Sequence, residues 1–195
     1  HSLESFYAHV PGLKVLSPAT IEDARWMLAP ALEDPDPVII FEHAGLYNSA
    51  GDRVEDAGPV DIRSAKVRQP GDDITLIAYG GSVPKTIEAA QELGEQGVSA
   101  EVLDLRVLRP LDKAAILGSV AKTHRVVIVD EGWKTGGISA EIAALIVEDA
   151  VWELDGPIAR VCSAEVPIPY ARHMEQAALP QVPMIVDAAR RLVGR

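Results

Sequence analysis

The sequence predicts an α/β protein: a mainly parallel sheet with helices on both faces, preceded by a partial βαβ piece of a second α/β unit. Three observations predict it. From Asp73 onward, short apolar β-branched runs alternate with segments whose apolar residues recur at helical spacing. The strand runs show no in-out alternation, which fits a sheet covered on both faces. Glycines stand at the strand-to-helix turns, as Gly80-Gly81 and Gly136-Gly137.

Taken in order, His1 to Gly12 carries Phe6, Tyr7 and Val10 in a short amphipathic pattern, and Leu13 to Leu16 is a short strand closed by Ser17-Pro18. Thr20 caps a helix with Asp23 at its third position and an apolar face of Ile21, Ala24, Met27, Leu28 and Leu32. Pro30 lies inside that pattern and distorts or shortens it. Val38 to Phe41 reads as the next strand. Two strands around one helix cannot bury both faces of a sheet, so this piece needs neighbours.

From His43 to Gly71 the residues are mostly polar, with Gly45, Gly51, Gly58 and Pro59, and read as a linker that ends in an edge strand, Ile62 to Val67. The regular alternation follows: strand Ile74 to Tyr79, helix Ser82 to Glu95, strand Val98 to Leu105, helix Asp112 to Lys122, strand Val126 to Val129. A helix from Ile138, a strand Ile158 to Ser163 and a last helix from Pro183 to Val193 complete it. Repeated units of this kind imply right-handed crossovers. The expected division is a partial unit over 1–43, a linker over 44–59 and a complete α/β domain over 60–195.

A chain of 195 residues can bury a sizeable core. Its net charge of −11 argues against nucleic acid or an anionic membrane as the main partner and favours a partner with a basic patch. The single cysteine, Cys162, excludes an internal disulfide and reads as a small buried hydrophobe. No apolar run approaches the about 18 residues that cross a bilayer, and no signal peptide is visible, so a cytoplasmic compartment is the expectation.

The inventory for catalysis is thin. His43, His124 and His173 are scattered over loops, with His43 closing a strand, a usual place for a ligand contact. Asp130 and Glu131 are adjacent in a strand and point to opposite faces, which argues against an acid/base dyad. Gly136-Gly137 before a helix either frees backbone N–H groups for an anion or lets helix and sheet pack closely. There is no nucleophile elbow or Walker loop.

Several stretches together carry a resemblance: His9-Val-Pro-Gly-Leu-Lys-Val15 with Ser17-Pro18, Asp34-Pro-Asp-Pro-Val-Ile-Ile-Phe-Glu42, Asp104-Leu-Arg-Val-Leu-Arg-Pro-Leu-Asp112 and Glu131 with Gly136-Gly-Ile-Ser-Ala-Glu-Ile142. Arg160-Val-Cys, Pro167-Ile-Pro-Tyr-Ala171 and Leu179-Pro180 continue it in order. The chain resembles the beta subunits of the thiamine-diphosphate-dependent decarboxylating component of 2-oxoacid dehydrogenase complexes, of the pyruvate dehydrogenase type. The resemblance implies the end of a thiamine (pyrimidine)-binding domain followed by a transketolase-type carboxyl-terminal domain. Oxidative decarboxylation of pyruvate or a related 2-oxoacid, with acyl transfer to lipoyl groups, is the implied activity.

The glutamate that activates the cofactor is implied to lie upstream, so thiamine diphosphate and magnesium belong to the intact enzyme and this piece alone is expected to be inactive. His1-Ser2 resembles an active-site His-Ser pair, although Leu3-Glu4 follow two residues too early. A potassium ion is implied at Ala31, Leu32, Asp34 and Asp36, where helix-end carbonyls and carboxylates suit a hard cation. The implied partners are a second beta subunit, an alpha subunit and the basic subunit-binding domain of the lipoyl acyltransferase, with Glu131 and Glu141 as docking acids. Bacterial cytoplasm, or the mitochondrial matrix behind an upstream transit peptide, is the implied location. A freestanding assembly module, or a piece of another transketolase-superfamily enzyme such as 1-deoxyxylulose-5-phosphate synthase, is the alternative.

Overall fold

The computed structural model describes residues 2–51 and 58–194. His1 lies outside the described residues, as does part of the expected linker. A short helix α1 (Glu4–Ala8) leads into β1 (Lys14–Leu16). The expected helix after Thr20 forms as two pieces, α2 (Ile21–Trp26) and α3 (Leu28–Glu33). The Thr20 side chain accepts the Asp23 N–H at 3.2 Å and caps α2. Pro30 has no N–H to offer the Trp26 carbonyl one turn back; that carbonyl accepts the Val60 N–H at 3.4 Å instead. Strand β2 (Val38–Ile40) then pairs parallel with β1.

After a 3-10 turn at Ala44–Leu46 comes β3 (Lys66–Gln69), an edge strand set a few residues later than the sequence suggests. The alternation follows as β4 (Ile74–Ala78), α4 (Ser82–Glu95), β5 (Ala100–Asp104), β6 (Val107–Arg109), α5 (Lys113–Thr123), β7 (Val126–Trp133) and α6 (Ile138–Ala150). A 3-10 turn at Val151–Glu153, then β8 (Ala159–Ser163), α7 (Arg172–Ala178) and α8 (Val182–Val193) end the chain.

Five strands form one sheet in the order β3-β5-β4-β7-β8, parallel except for β3, which runs antiparallel to β5. Ile74, Leu76 and Ala78 of β4 face a cluster with Leu93 of α4 and Ile185 of α8. Ile77 and Tyr79 face the opposite cluster with Ile116 of α5 and Ile142 of α6. Both faces of each central strand are therefore apolar, which is why its sequence does not alternate.

The smaller sheet, β2-β1-β6, takes its third strand from the segment directly after β5, with β6 antiparallel to β1. Val15 of β1 sits in the same cluster as Ile77, Leu103 and Ile128, so the two sheets share a core. Leu16, Met27, Val60, Ile62 and Val107 form a third cluster under α2 and α3. Val60 and Ile62 thus pack against the first piece as well as against Val107.

Candidate functional site

In a parallel sheet, the loops beyond the strand carboxyl ends converge, and ligands bind there. Here the ends of β4 and β7 meet the loop after β2 around a cleft of about 720 Å³ whose lining includes Ser17, His43, Gly81, Lys85 and Glu131. Glu131 is its hub. Its Oε2 lies 2.8 Å from His43 Nε2 and its Oε1 accepts Lys85 Nζ at 3.1 Å, while Lys85 also donates to the Pro180 carbonyl at 3.0 Å. Gly81 makes the contact possible: a Cβ there would stand 2.6 Å from the His43 ring and 2.8 Å from Glu131 Oε2.

The electrostatics follow from this geometry. Burial pushes the Glu131 carboxyl up, but the hydrogen bond and charge of His43, with Lys85, outweigh it and hold the carboxyl below its usual range. The bond to Glu131 raises the His43 pKa above 6.5 against the opposing effect of burial. Burial raises the carboxyl of Glu4, which faces the same cleft with Asp130 and Glu131 nearby. The pair can hold a proton between the loop and β7, and it ties the smaller sheet's loop to the larger sheet. Nδ1 of His43 is buried without a hydrogen-bond partner among the described residues.

A raised histidine pKa means that the folded state holds the proton more tightly than the unfolded one, so the link contributes fully below pH 6.5 and is lost as pH rises through the folded value. The difference in unfolding free energy between the wild type and His43→Gln should therefore shrink from acidic to alkaline pH. A gap that widens with pH would refute the assignment.

On the other side of β7, Asp130 is fully buried. Its Oδ1 accepts the Tyr79 hydroxyl and the Gly132 N–H, both at 2.6 Å, and its Oδ2 accepts the Ser139 N–H at 3.0 Å. Burial, with the Asp130 charge, drives the Tyr79 pKa well above its ordinary value. The two adjacent acids do point to opposite partners. At the start of α6 the N–H of Ser139 is taken by the chain's own Asp130 carboxylate.

Gly137 is there for close approach: its Cβ would meet the Trp133 carbonyl oxygen at 2.3 Å. Gly137→Ala should cost about 1–3 kcal/mol through the backbone shift it forces. A thermal scan checks this, and an unchanged midpoint would contradict it.

The other expected residues lie apart. Glu141 is exposed on α6. Glu131, expected as a docking acid, is only 8% exposed and turned onto His43 and Lys85, because a carboxylate at a buried strand end needs cations close by. The potassium expectation meets a competitor. Ala31 and Leu32 are in the last turn of α3, but the ammonium of Lys14 bridges the carboxylates of Asp34 and Asp36. Its hydrogen bond holds the Asp34 carboxyl below its usual range. The turn already contains its cation, so these side chains fit a potassium ion poorly.

Gly81 occupies the cap position of α4 without a side-chain bond. Cys162 is half-buried against Ser139 at 3.3 Å, and burial pushes its thiol up. Lys85, Tyr79 and Glu4 escape a sequence reading. Lys85 alone leaves a trace, since a cation in the first turn of a helix opposes the helix dipole and calls for an acid nearby.

Residues 63–185 match the family model described as transketolase, C-terminal domain. The chain belongs to the transketolase C-terminal domain family. Its fold agrees with a transketolase-type structure described as split gene transketolase, inactive beta4 tetramer, at TM-score 0.81 and 22% identity over 98% of this chain and 60% of that one. Among curated relatives, it is 47% identical over 195 residues to the pyruvate dehydrogenase E1 component subunit beta, mitochondrial, of Drosophila melanogaster, covering 97% of this chain and 53% of the relative. The corresponding beta-1 subunit of Oryza sativa subsp. japonica is 44% identical, with 98% and 52% covered. The subunit from Rhizobium meliloti (strain 1021) is 39% identical over 187 residues, with 95% and 41% covered. The transketolase C-terminal domain chain thus spans about half the length of the first two curated relatives.

Proposed function

We propose that the chain is the carboxyl-terminal part of a beta subunit in the decarboxylating component of a 2-oxoacid dehydrogenase complex, of the pyruvate type. The similarity to pyruvate dehydrogenase E1 beta subunits along 97% of the chain carries this reading. In it, residues 1–43 close a thiamine-binding domain, 44–59 connect, and 60–195 form the transketolase-type lobe that pairs with a second beta subunit. The alpha subunit and the acyltransferase's basic subunit-binding domain are its other partners, with exposed Glu141 as a docking acid. Thiamine diphosphate and magnesium serve the whole assembly, and no residue of this chain is assigned to them. The compartment is a bacterial cytoplasm or a mitochondrial matrix.

Grafting decides the reading. These 195 residues replace the matching half of a homologous beta subunit, and pyruvate-dependent acyl transfer is assayed with the alpha subunit and acyltransferase. Assembly and turnover support it; a folded graft that binds neither partner sinks it. Alone with pyruvate, thiamine diphosphate and magnesium, the chain should give no decarboxylation above background, and measurable turnover would contradict the division of labour proposed.

A further inference from the structure

The five-stranded sheet ends in two unlike edges. At one, β3 carries Lys66 and Arg68, whose charges are paired with Glu22, Asp23 and Asp104. At the other, β8 pairs with β7, and among the described residues no further strand lies beyond it. Such an edge presents a row of N–H and C=O groups that a further strand can take up. Strand β8 offers five residues without a proline, about 17 Å of extended backbone. A groove of about 960 Å³ follows this edge, and its two walls differ. On the α6 side, Arg160 donates from Nη1 to the Lys134 carbonyl at 2.9 Å, and the Lys134 side chain stands exposed beside it. Ala159 and Val161 point the other way, into the cluster with Ile185 of α8. That wall offers Ala188 and Met184, the latter 44% exposed.

Charge selects the occupant. On a chain of net charge −11, Lys134, Arg160 and Arg191 all line this groove, and among the described residues none of the three is ion-paired with a carboxylate. Of the two acids in the lining, Glu165 is turned onto the Thr135 N–H at 3.0 Å and Asp187 lies on α8. Two copies of this chain meeting edge to edge would set these cations against their own counterparts, which is destabilising. Side chains of an added strand alternate between the walls, so one wall calls for anions and the other for apolar groups. We infer that the free edge of β8 accepts an extended segment of a partner protein in which acidic and apolar residues alternate. Its backbone continues the sheet, its carboxylates meet Lys134 and Arg160, and its apolar side chains lie on Met184 and Ala188. This goes beyond the function proposed above and calls for a partner of opposite charge to the basic domain named there, so either reading can fail without the other.

Three synthetic peptides are titrated into the full chain by calorimetry: alternating glutamate and valine, the same pattern with lysine for glutamate, and the glutamate-valine peptide N-methylated at every amide, which leaves no donors for an edge. The first should bind roughly tenfold or more tightly than either of the others. Lys134→Glu, at an exposed position, should weaken it by roughly tenfold at an unchanged unfolding midpoint. Adding Arg160→Glu should turn the preference toward the lysine peptide. No binding of the glutamate-valine peptide, equal binding of the lysine or the N-methylated one, or full affinity in Lys134→Glu would overturn the inference. So would self-association of the wild type that the glutamate-valine peptide dissolves in sedimentation, since the occupant would then be a second copy.

Discussion

Replacing Asp130 by alanine is expected to destabilise the fold by on the order of 3–5 kcal/mol, because three donors lose their acceptor at once. The Tyr79 hydroxyl and the N–H groups of Gly132 and Ser139 all converge on this carboxylate. Tyr79 and Ser139 are themselves buried, so water cannot readily take over. The same carboxylate sits at the positive end of α6, where an anion is favoured. Asp130→Asn keeps an acceptor oxygen but loses the charge, and should cost less than Asp130→Ala. Urea unfolding followed by circular dichroism separates the two. An alanine variant with the wild-type midpoint and slope would show that these bonds are not what fixes the turn.

The alternation β4, α4, β5, α5, β7, α6, β8, α8 was legible because both sheet faces are covered: each strand announces itself as an uninterrupted apolar run and each helix by its period. Where a side chain is paired inside the molecule, that signal fails. Strand β7 continues to Trp133, four residues past its apolar run, because Asp130 and Glu131 are satisfied by Tyr79, His43 and Lys85, which lie far away in sequence. Strand β6 is three residues long and pairs with β1, about ninety residues upstream, so no local pattern marks it. Of the candidate site, His43 was legible from its place at a strand end, and Glu131 from the family motif. Their partnership was not, since a contact between a loop of the smaller sheet and a strand of the larger one has no sequence period.

The other large effect is expected at Arg68. Its guanidinium joins α2 to the sheet edge: Nε and Nη2 contact Asp104 Oδ2 at 2.9 and 2.8 Å, Nη2 also pairs with Asp23, and Nη1 lies 3.4 Å from Glu22. The Asp23 and Asp104 side chains are fully buried, and the nearest other cation is Arg106, whose Nη1 is 3.5 Å from Asp23. Arg68→Met fills much of the same volume but strands two carboxylates, which should cost about 3–5 kcal/mol at neutral pH. The pH dependence identifies the cause. Burial, against the pull of Arg68, pushes the Asp104 carboxyl up to about 6 from 3.8. A raised carboxyl binds its proton more tightly when folded, so the penalty of the charged form is full above the folded value and is relieved as pH falls through it. Without Arg68 the Asp104 carboxyl rises further, so the gap between wild type and Arg68→Met should narrow as pH falls toward about 6, and adding Asp104→Asn to the variant should recover part of the loss at neutral pH. A gap that stays constant across that range would mean that lost packing, and not a stranded charge, accounts for the effect.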